Sequence, residues 1–167
     1  INTSDYPLTR LKNTIASESS KLLENSYRAV NIAFIEEWGR FAEDIGIDLF
    51  EVIEAIRKRP THSNIRQPGF GVGGYCLTKD PLFADFSSSN IFNIENKFPF
   101  STMAVSINDS MPQNVFEKIF SFYDGKLKGK KFLVLGASYR EGVGDTRFSP
   151  SEPLCRMLLD SGAEIKV

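Results

Sequence analysis

The sequence predicts a mainly α domain built on one long helix, followed by the first β-α-β unit of a parallel α/β sheet. Three observations carry this. Residues 11–45 hold no proline and one glycine, with apolar residues at helical spacing. The run "KFLVLG" is a compact apolar strand signal close to the end of the chain. Between it and "AEIKV" lies the capped helical stretch "SEPLCRMLLDSG".

In the first stretch Ile15, Leu22, Leu23, Tyr27, Val30, Phe34, Trp38, Phe41 and Ile45 recur as one broad apolar sector. A helix over 11–45 spans roughly 50 Å at 1.5 Å per residue. That exceeds what a small domain covers, and such a helix packs against a partner subunit. Gly46 suits the position that ends it. Asp48 and Glu51 make a D-x-x-E start for a short helix that stops before Pro60, with Arg57, Lys58 and Arg59 complementing its C-terminal dipole.

Residues 60–74 read as loop, and 81–87 as helix with Pro81 at its first position. "SSSN" reads as a break. Helix returns over 99–110, and after "SMPQ" a further helix, "NVFEKIFSFYDG", ends at Gly125. "GKLKGKK" is a linker into the strand. Ser149, Pro150 and Glu152 are read as N-cap, first helical proline and capping-box acid of the following helix, which ends at Gly162. The domain boundary falls between residues 1–127 and 128–167.

The chain has 167 residues, 41% of them apolar, enough for one domain or two small ones with a real core. A net charge of −1 points away from nucleic acid and membrane surfaces. Two cysteines make no disulfide framework, which favours a reducing, cytoplasmic setting. No apolar stretch reaches a membrane span, and "INTSDYPLTR" lacks the features of a signal peptide. Both ends read as cuts in a larger protein.

"GFGVGGYCLTKDP", residues 69–81, carries the chemistry. Its opening fits G-x-G-x-x-G, but a dinucleotide loop follows a strand and opens a helix, and neither context is present. Centred on Cys76, the loop offers exposed amides and two charged neighbours, Lys79 and Asp80, and a cation beside a thiol favours the thiolate. An inert cysteine buried in a tight turn is the alternative. Cys155, on an amphipathic helix, reads as core. His62 is the one histidine, placed in a loop without a nearby acid, so no metal site is expected.

"PGFGVGGYCLTKDP" resembles the catalytic-cysteine loop of the UDP-glucose/GDP-mannose dehydrogenase family, NAD-dependent nucleotide-sugar 6-dehydrogenases. "ESSKLLENSYRAVNIAFIEEW" is similar to the family's long central helix, "SINDSMP" to the segment before its last central helix, and "VLGASYREGVGDTRFSPSEPL" to the opening of its UDP-binding domain. The resemblance implies an N-terminal Rossmann domain that binds NAD and lies outside this chain, a central helical domain that dimerises, and the truncated start of a Rossmann-like UDP-binding domain. It implies oxidation of a sugar C6 alcohol to a carboxylate, in polysaccharide biosynthesis, by a homodimer acting on a UDP-linked nucleotide sugar.

On that resemblance Cys76 is the nucleophile, forming a thiohemiacetal and then a thioester. Lys21 stabilises oxyanion charge. Asn25, on the same helix face, donates to the same oxygen or orients a water. Asp80 positions Lys21 or a water; N-capping the helix at Pro81 is its alternative. Without the cysteine loop, Lys21 and Asn25 read as a solvated face. Gly71, Gly73 and Gly74 bring the loop close to the hexose. Tyr139 and Arg140 match an aromatic-basic pair that meets substrate, with arginine where the family commonly has lysine. Arg147 matches an arginine near the cofactor, with a salt bridge to Asp145 as the alternative.

Tyr75 and Leu77 depart from both the UDP-glucose and the N-acetylhexosamine versions of the loop; Lys79 leans to the first and Pro81 to the second. Arg59 and Arg66 both stand where relatives carry a substrate arginine before the loop. Competing readings are a non-catalytic dimerisation module of the same fold and an unrelated cysteine hydrolase. The intact set Lys21, Asn25, Cys76 and Asp80 speaks against the first, and the single histidine against the second.

Overall fold

Asn13 opens the structure's longest element. It is extended (φ −156°, ψ 175°) and its side-chain oxygen accepts the Ala16 N–H at 2.8 Å, so helix α1 runs Thr14–Ile45 and starts three residues later than the apolar pattern alone suggests. Its 32 residues extend about 48 Å. Gly46, at φ 73°, ends it by donating to the Ala42 and Glu43 carbonyls. The structure is a computed structural model and describes residues 3–167.

Helix α2, Leu49–Arg57, is capped by Asp48, whose carboxylate accepts from the Phe50 and Glu51 amides. Its Ile53 joins Ile35, Ala42 and Leu49 in a small core with Ile65 against it. Arg57 donates to the Ile65 carbonyl and ties the following loop, which opens with a 3-10 turn at Pro60–His62, to the helix.

Helix α3, Asp80–Asn90, runs straight through "SSSN". The break expected there comes later, after Asn90, because the polar side chains find partners in and just beyond the helix. Buried Ser88 donates to the Ile94 carbonyl and accepts from the Asn96 amide, and Asn90 donates to the Phe86 carbonyl. The break expected at "SMPQ" is absent: α4 is continuous over Pro99–Phe122 with Pro112 inside it. Pro112 removes one helical N–H, a loss that packing outweighs, since Asn108, Met111 and Pro112 are all buried. Ala29 and Ala33 of α1 meet Ala104 of α4, with Val30 and Ile107 beside them, so small side chains let the two longest helices approach closely.

Strands β1, Lys131–Leu133, and β2, Glu164–Lys166, pair in parallel with Phe132 opposite Ile165. Helix α5, Ser151–Asp160, connects them, and Gly162 at φ 81° ends it. The helix begins one residue later than expected: Ser149 stands just before it, its hydroxyl accepting the Ser151 amide, and Glu152 pairs with Arg156 instead of turning back to a cap. The "KFLVLG" run is less buried than expected. Leu133 and Leu135 are exposed, because among the described residues the sheet has two strands. Leu127, Leu154, Leu158 and Ala163 form a core that α4 shares through Val115, Phe116 and Ile119, with Tyr123 just past the helix end. The helical part and the β-α-β unit therefore pack as neighbours across Leu127. Among the described residues no helix is long and apolar enough to cross a membrane.

Candidate active site

One face of α1 carries Asn25, Ala29, Ala33 and Glu36 in line, and all four are buried. The alanines pack on α4. The two polar residues at the ends reach to the cysteine loop.

Asn25 is fully buried, and its amide nitrogen donates to Asp80 Oδ2 at 2.7 Å. Its oxygen accepts from Lys21 Nζ at 3.4 Å. A carboxylate on one side and an ammonium on the other allow only that orientation of the amide. Asp80 Oδ1 takes Lys79 Nζ at 3.0 Å. The result is a chain, Lys21–Asn25–Asp80–Lys79, in which buried Asp80 is flanked on both oxygens. Asp80 thus reaches Lys21 through Asn25. It does not cap α3: it sits in the first turn, and Lys79 holds the cap position without a side-chain bond. The amide of Asp80 donates to the Cys76 carbonyl at 2.8 Å. Cys76 is exposed, not buried in the turn. The Lys21 side chain is about half exposed and also pairs with Glu24.

At the other end Glu36 Oε1 accepts the Gly69 amide at 2.9 Å, and the Gly71 amide faces the same carboxylate. Burial raises the Glu36 pKa above the usual carboxylate value, against the lowering effect of Gly69, Arg40 and Gly71. Sequence reasoning missed Glu36. The signal available was its spacing, an acid in line with Ala29 and Ala33 on the face that packs inward.

The glycines have a different neighbour from the one expected. A Cβ on Gly71, at φ 89°, would stand 3.0 Å from the Asn108 carbonyl and 3.1 Å from Met111 Cβ. One on Gly73 would stand 2.3 Å from Tyr139 Cβ, and one on Gly74 2.8 Å from the Tyr139 ring. The space left by the missing side chains is filled by protein: α4 on one side, Tyr139 on the other. The Gly74 amide donates to the Arg147 carbonyl at 2.8 Å, which stitches the loop to the 145–148 segment.

Tyr139 thus lies against the loop, while Arg140 is exposed on a shallow cavity of about 370 Å³ bounded by residues 135–143. Arg147 is exposed and bonded to Asp145, with Nη2–Oδ2 at 2.7 Å. That hydrogen-bonded guanidinium lowers the Asp145 pKa to about 2. Arg147 also lies over the Tyr75 ring, 5.5 Å from its centroid, and Lys79 over the same ring at 4.4 Å. Cys155 is half-buried and His62 exposed on its turn. Arg59 and Arg66 are both exposed.

A family model described as the UDP-glucose/GDP-mannose dehydrogenase family, central domain, matches residues 15–110. The chain is 41% identical over 150 residues to a UDP-N-acetyl-D-mannosamine dehydrogenase of Methanocaldococcus jannaschii, covering 90% of this chain and 33% of that protein. It is 32% identical over 153 residues to a UDP-glucose 6-dehydrogenase of Rickettsia felis, covering 91% and 34%. Among solved structures, the UDP-D-ManNAc dehydrogenase of Pyrococcus horikoshii matches with a TM-score of 0.78 at 33% identity, over 92% of this chain and 36% of that one. A UDP-glucose dehydrogenase of Pyrobaculum islandicum matches with a TM-score of 0.74 at 29% identity, over 90% and 34%. The chain spans about a third of the length of the curated relatives it matches.

Proposed function

The chain belongs to the UDP-glucose/GDP-mannose dehydrogenase family, and we propose that it is part of an NAD-dependent enzyme that oxidises the C6 alcohol of a UDP-linked sugar to a carboxylate. Residues 1–127 are its central domain and 128–167 the start of its nucleotide-binding domain. The observation that supports this best is the Lys21–Asn25–Asp80 chain joined to exposed Cys76 through the Asp80 amide. A scaffold without chemistry has no use for a buried amide and carboxylate set between a surface ammonium and the backbone turn that carries a cysteine.

The glycine loop does not fit NAD as a pyrophosphate cradle, because Tyr139 and α4 occupy the space beside it. Arg147 is the residue assigned to the cofactor's side of the site. NAD, when bound mainly by parts of the enzyme outside this chain, would supply the hydride acceptor for each of two oxidations. Lys21 stabilises the C6 alkoxide and the oxyanion of each tetrahedral intermediate. Asn25 relays the Asp80 charge to Lys21 and holds its ammonium in place. The Cys76 thiolate adds to the aldehyde carbon, giving a thiohemiacetal. Loss of hydride from that carbon leaves a thioester. Water, oriented from the Asp80 side, hydrolyses it and releases the thiol and the sugar acid. Gly71, Gly73 and Gly74 serve the substrate through the path of the loop, which they let pass between α4 and Tyr139. Tyr139 and Arg140 meet the nucleotide sugar. The exposed Phe34, Trp38 and Phe41 of α1 form the contact between two subunits.

UDP-N-acetyl-D-mannosamine is the first substrate to try, given the names of the relatives and Pro81 after Asp80. The test uses the full-length enzyme with UDP-N-acetyl-D-mannosamine, UDP-N-acetylglucosamine, UDP-glucose and GDP-mannose, following NADH. Fastest turnover is expected with the first. Cys76→Ser is expected to abolish steady formation of the sugar acid; normal turnover by that variant would refute the nucleophile.

A further inference from the structure

The cysteine loop is held by α1 at two points. At its exit, Asn25 bonds Asp80 at 2.7 Å. At its entry, Glu36 accepts from Gly69 at 2.9 Å and faces the Gly71 amide. The two holding residues stand on one face of one helix, three turns apart, roughly 16 Å along the axis. Between them the same face is only Ala29 and Ala33, locked against Ala104 of α4. The spacing between the two grips is therefore set by a rigid element.

We propose that Glu36 is a positioning residue: by holding the entry of the glycine loop, it sets where Cys76 stands relative to Lys21. The proposal rests on the reading of Cys76 and Lys21 given above.

A carboxylate suits this task. Both of its oxygens accept and neither donates, so one side chain holds the Gly69 amide and still faces Gly71 two residues on. Glu36 is itself 2% exposed. The loop cannot relax toward α4, because Gly71 already lies against the Asn108 carbonyl and Met111. Nor can it relax away, since its far side meets Tyr139 and the Arg147 carbonyl. Arg40, one turn along α1, reaches toward Met111 and leaves the Glu36 oxygens to the loop. A carboxylate kept in so buried a place, against its own desolvation, has a geometric role to offset that cost.

The test uses full-length enzyme carrying Glu36→Gln or Glu36→Ala. Gln keeps the volume and one acceptor oxygen, but turns an NH₂ toward the second amide. Its expected effect is about a tenfold loss of kcat with KM for the nucleotide sugar within about twofold, since small misplacements of a reacting group cost one to two orders of magnitude. Ala is expected to lose more. The second readout is the rate of iodoacetamide alkylation at Cys76, followed on its peptide by mass spectrometry. It is expected to change at least about threefold in Glu36→Gln, because the loop's position alters the thiol's surroundings. A merely structural role would lower thermal stability and leave kcat per folded molecule and the alkylation rate as they were. Wild-type kcat or wild-type alkylation in folded Glu36→Gln would overturn the proposal, and so would a Glu36→Gln enzyme unable to fold. The alkylation readout does not depend on what Cys76 does. Turnover by Cys76→Ser would sink the nucleophile reading instead, and the two failures are told apart.

Discussion

Gly73→Ala puts a single methyl at the contact that joins the two parts of the site. An added Cβ lies 2.3 Å from Tyr139 Cβ and 2.7 Å from the Phe148 carbonyl oxygen. Neither atom is the far end of a flexible side chain. Tyr139 Cβ moves only with its backbone, and the Phe148 oxygen is backbone itself. Restoring ordinary contact requires the loop and the 139–148 segment to part by about 1 Å, an overpacking cost of roughly 1–3 kcal/mol. That movement also strains the Gly74 N–H bond to the Arg147 carbonyl, 2.8 Å long here, for about 1 kcal/mol more. The total is about 2–4 kcal/mol, read as a lower Tm. The control is Gly144→Ala: nothing lies within 4 Å of its Cβ and its φ is not positive. Thermal unfolding of the two full-length variants side by side is the assay. Equal Tm values for Gly73→Ala and Gly144→Ala would refute the argument that Tyr139 dictates glycine at 73.

Two further predictions concern charge and assembly. The Asp145 pKa is depressed by Arg147 to about 2, so their pairing favours the folded state above the ordinary carboxylate pKa of about 4 and its contribution is lost as pH falls toward 2. In Arg147→Met the Asp145 titration, followed by carboxyl-carbon NMR, is expected to return to about 4; an unmoved midpoint would show that Arg147 is not the cause. Trp38, 47% exposed and packed edge-on to Phe41 at 5.8 Å, lies at the centre of the subunit contact assigned to α1. Trp38→Glu is expected to convert dimer to monomer by light scattering, and an unchanged mass would place the contact elsewhere.

Local signals were readable in proportion to how local their causes are. The long helix, the Gly46 stop and the Asp48 cap each depend on residues within a turn or two of one another; the stop and the cap stand where the pattern put them, and the helix starts three residues late. The break expected at "SMPQ" failed, and that at "SSSN" fell a few residues late, because their causes are not local to the pattern. Ser88 finds Ile94 and Asn96 past the helix end, and Pro112 is held in α4 by packing that covers its neighbours. Propensity describes a chain in water, and these segments are set by what covers them.

The site divides along the same line. Lys21 and Asn25 share a face at helical spacing, and that much is arithmetic. That Asn25 is buried, and stands between Lys21 and Asp80, depends on where α3 lies, which no spacing reveals. The glycines show this most sharply. Their pattern suggests room for a ligand, yet Gly73 and Gly74 are small because Tyr139 comes to rest on them. Glycine marks a close approach without saying what approaches. Glu36 is the converse: an acid among many in the sequence, distinguished only by falling on the inward face with Ala29 and Ala33. A charge at an inward position signals a buried partner, and here the partner is the backbone of the loop that carries Cys76.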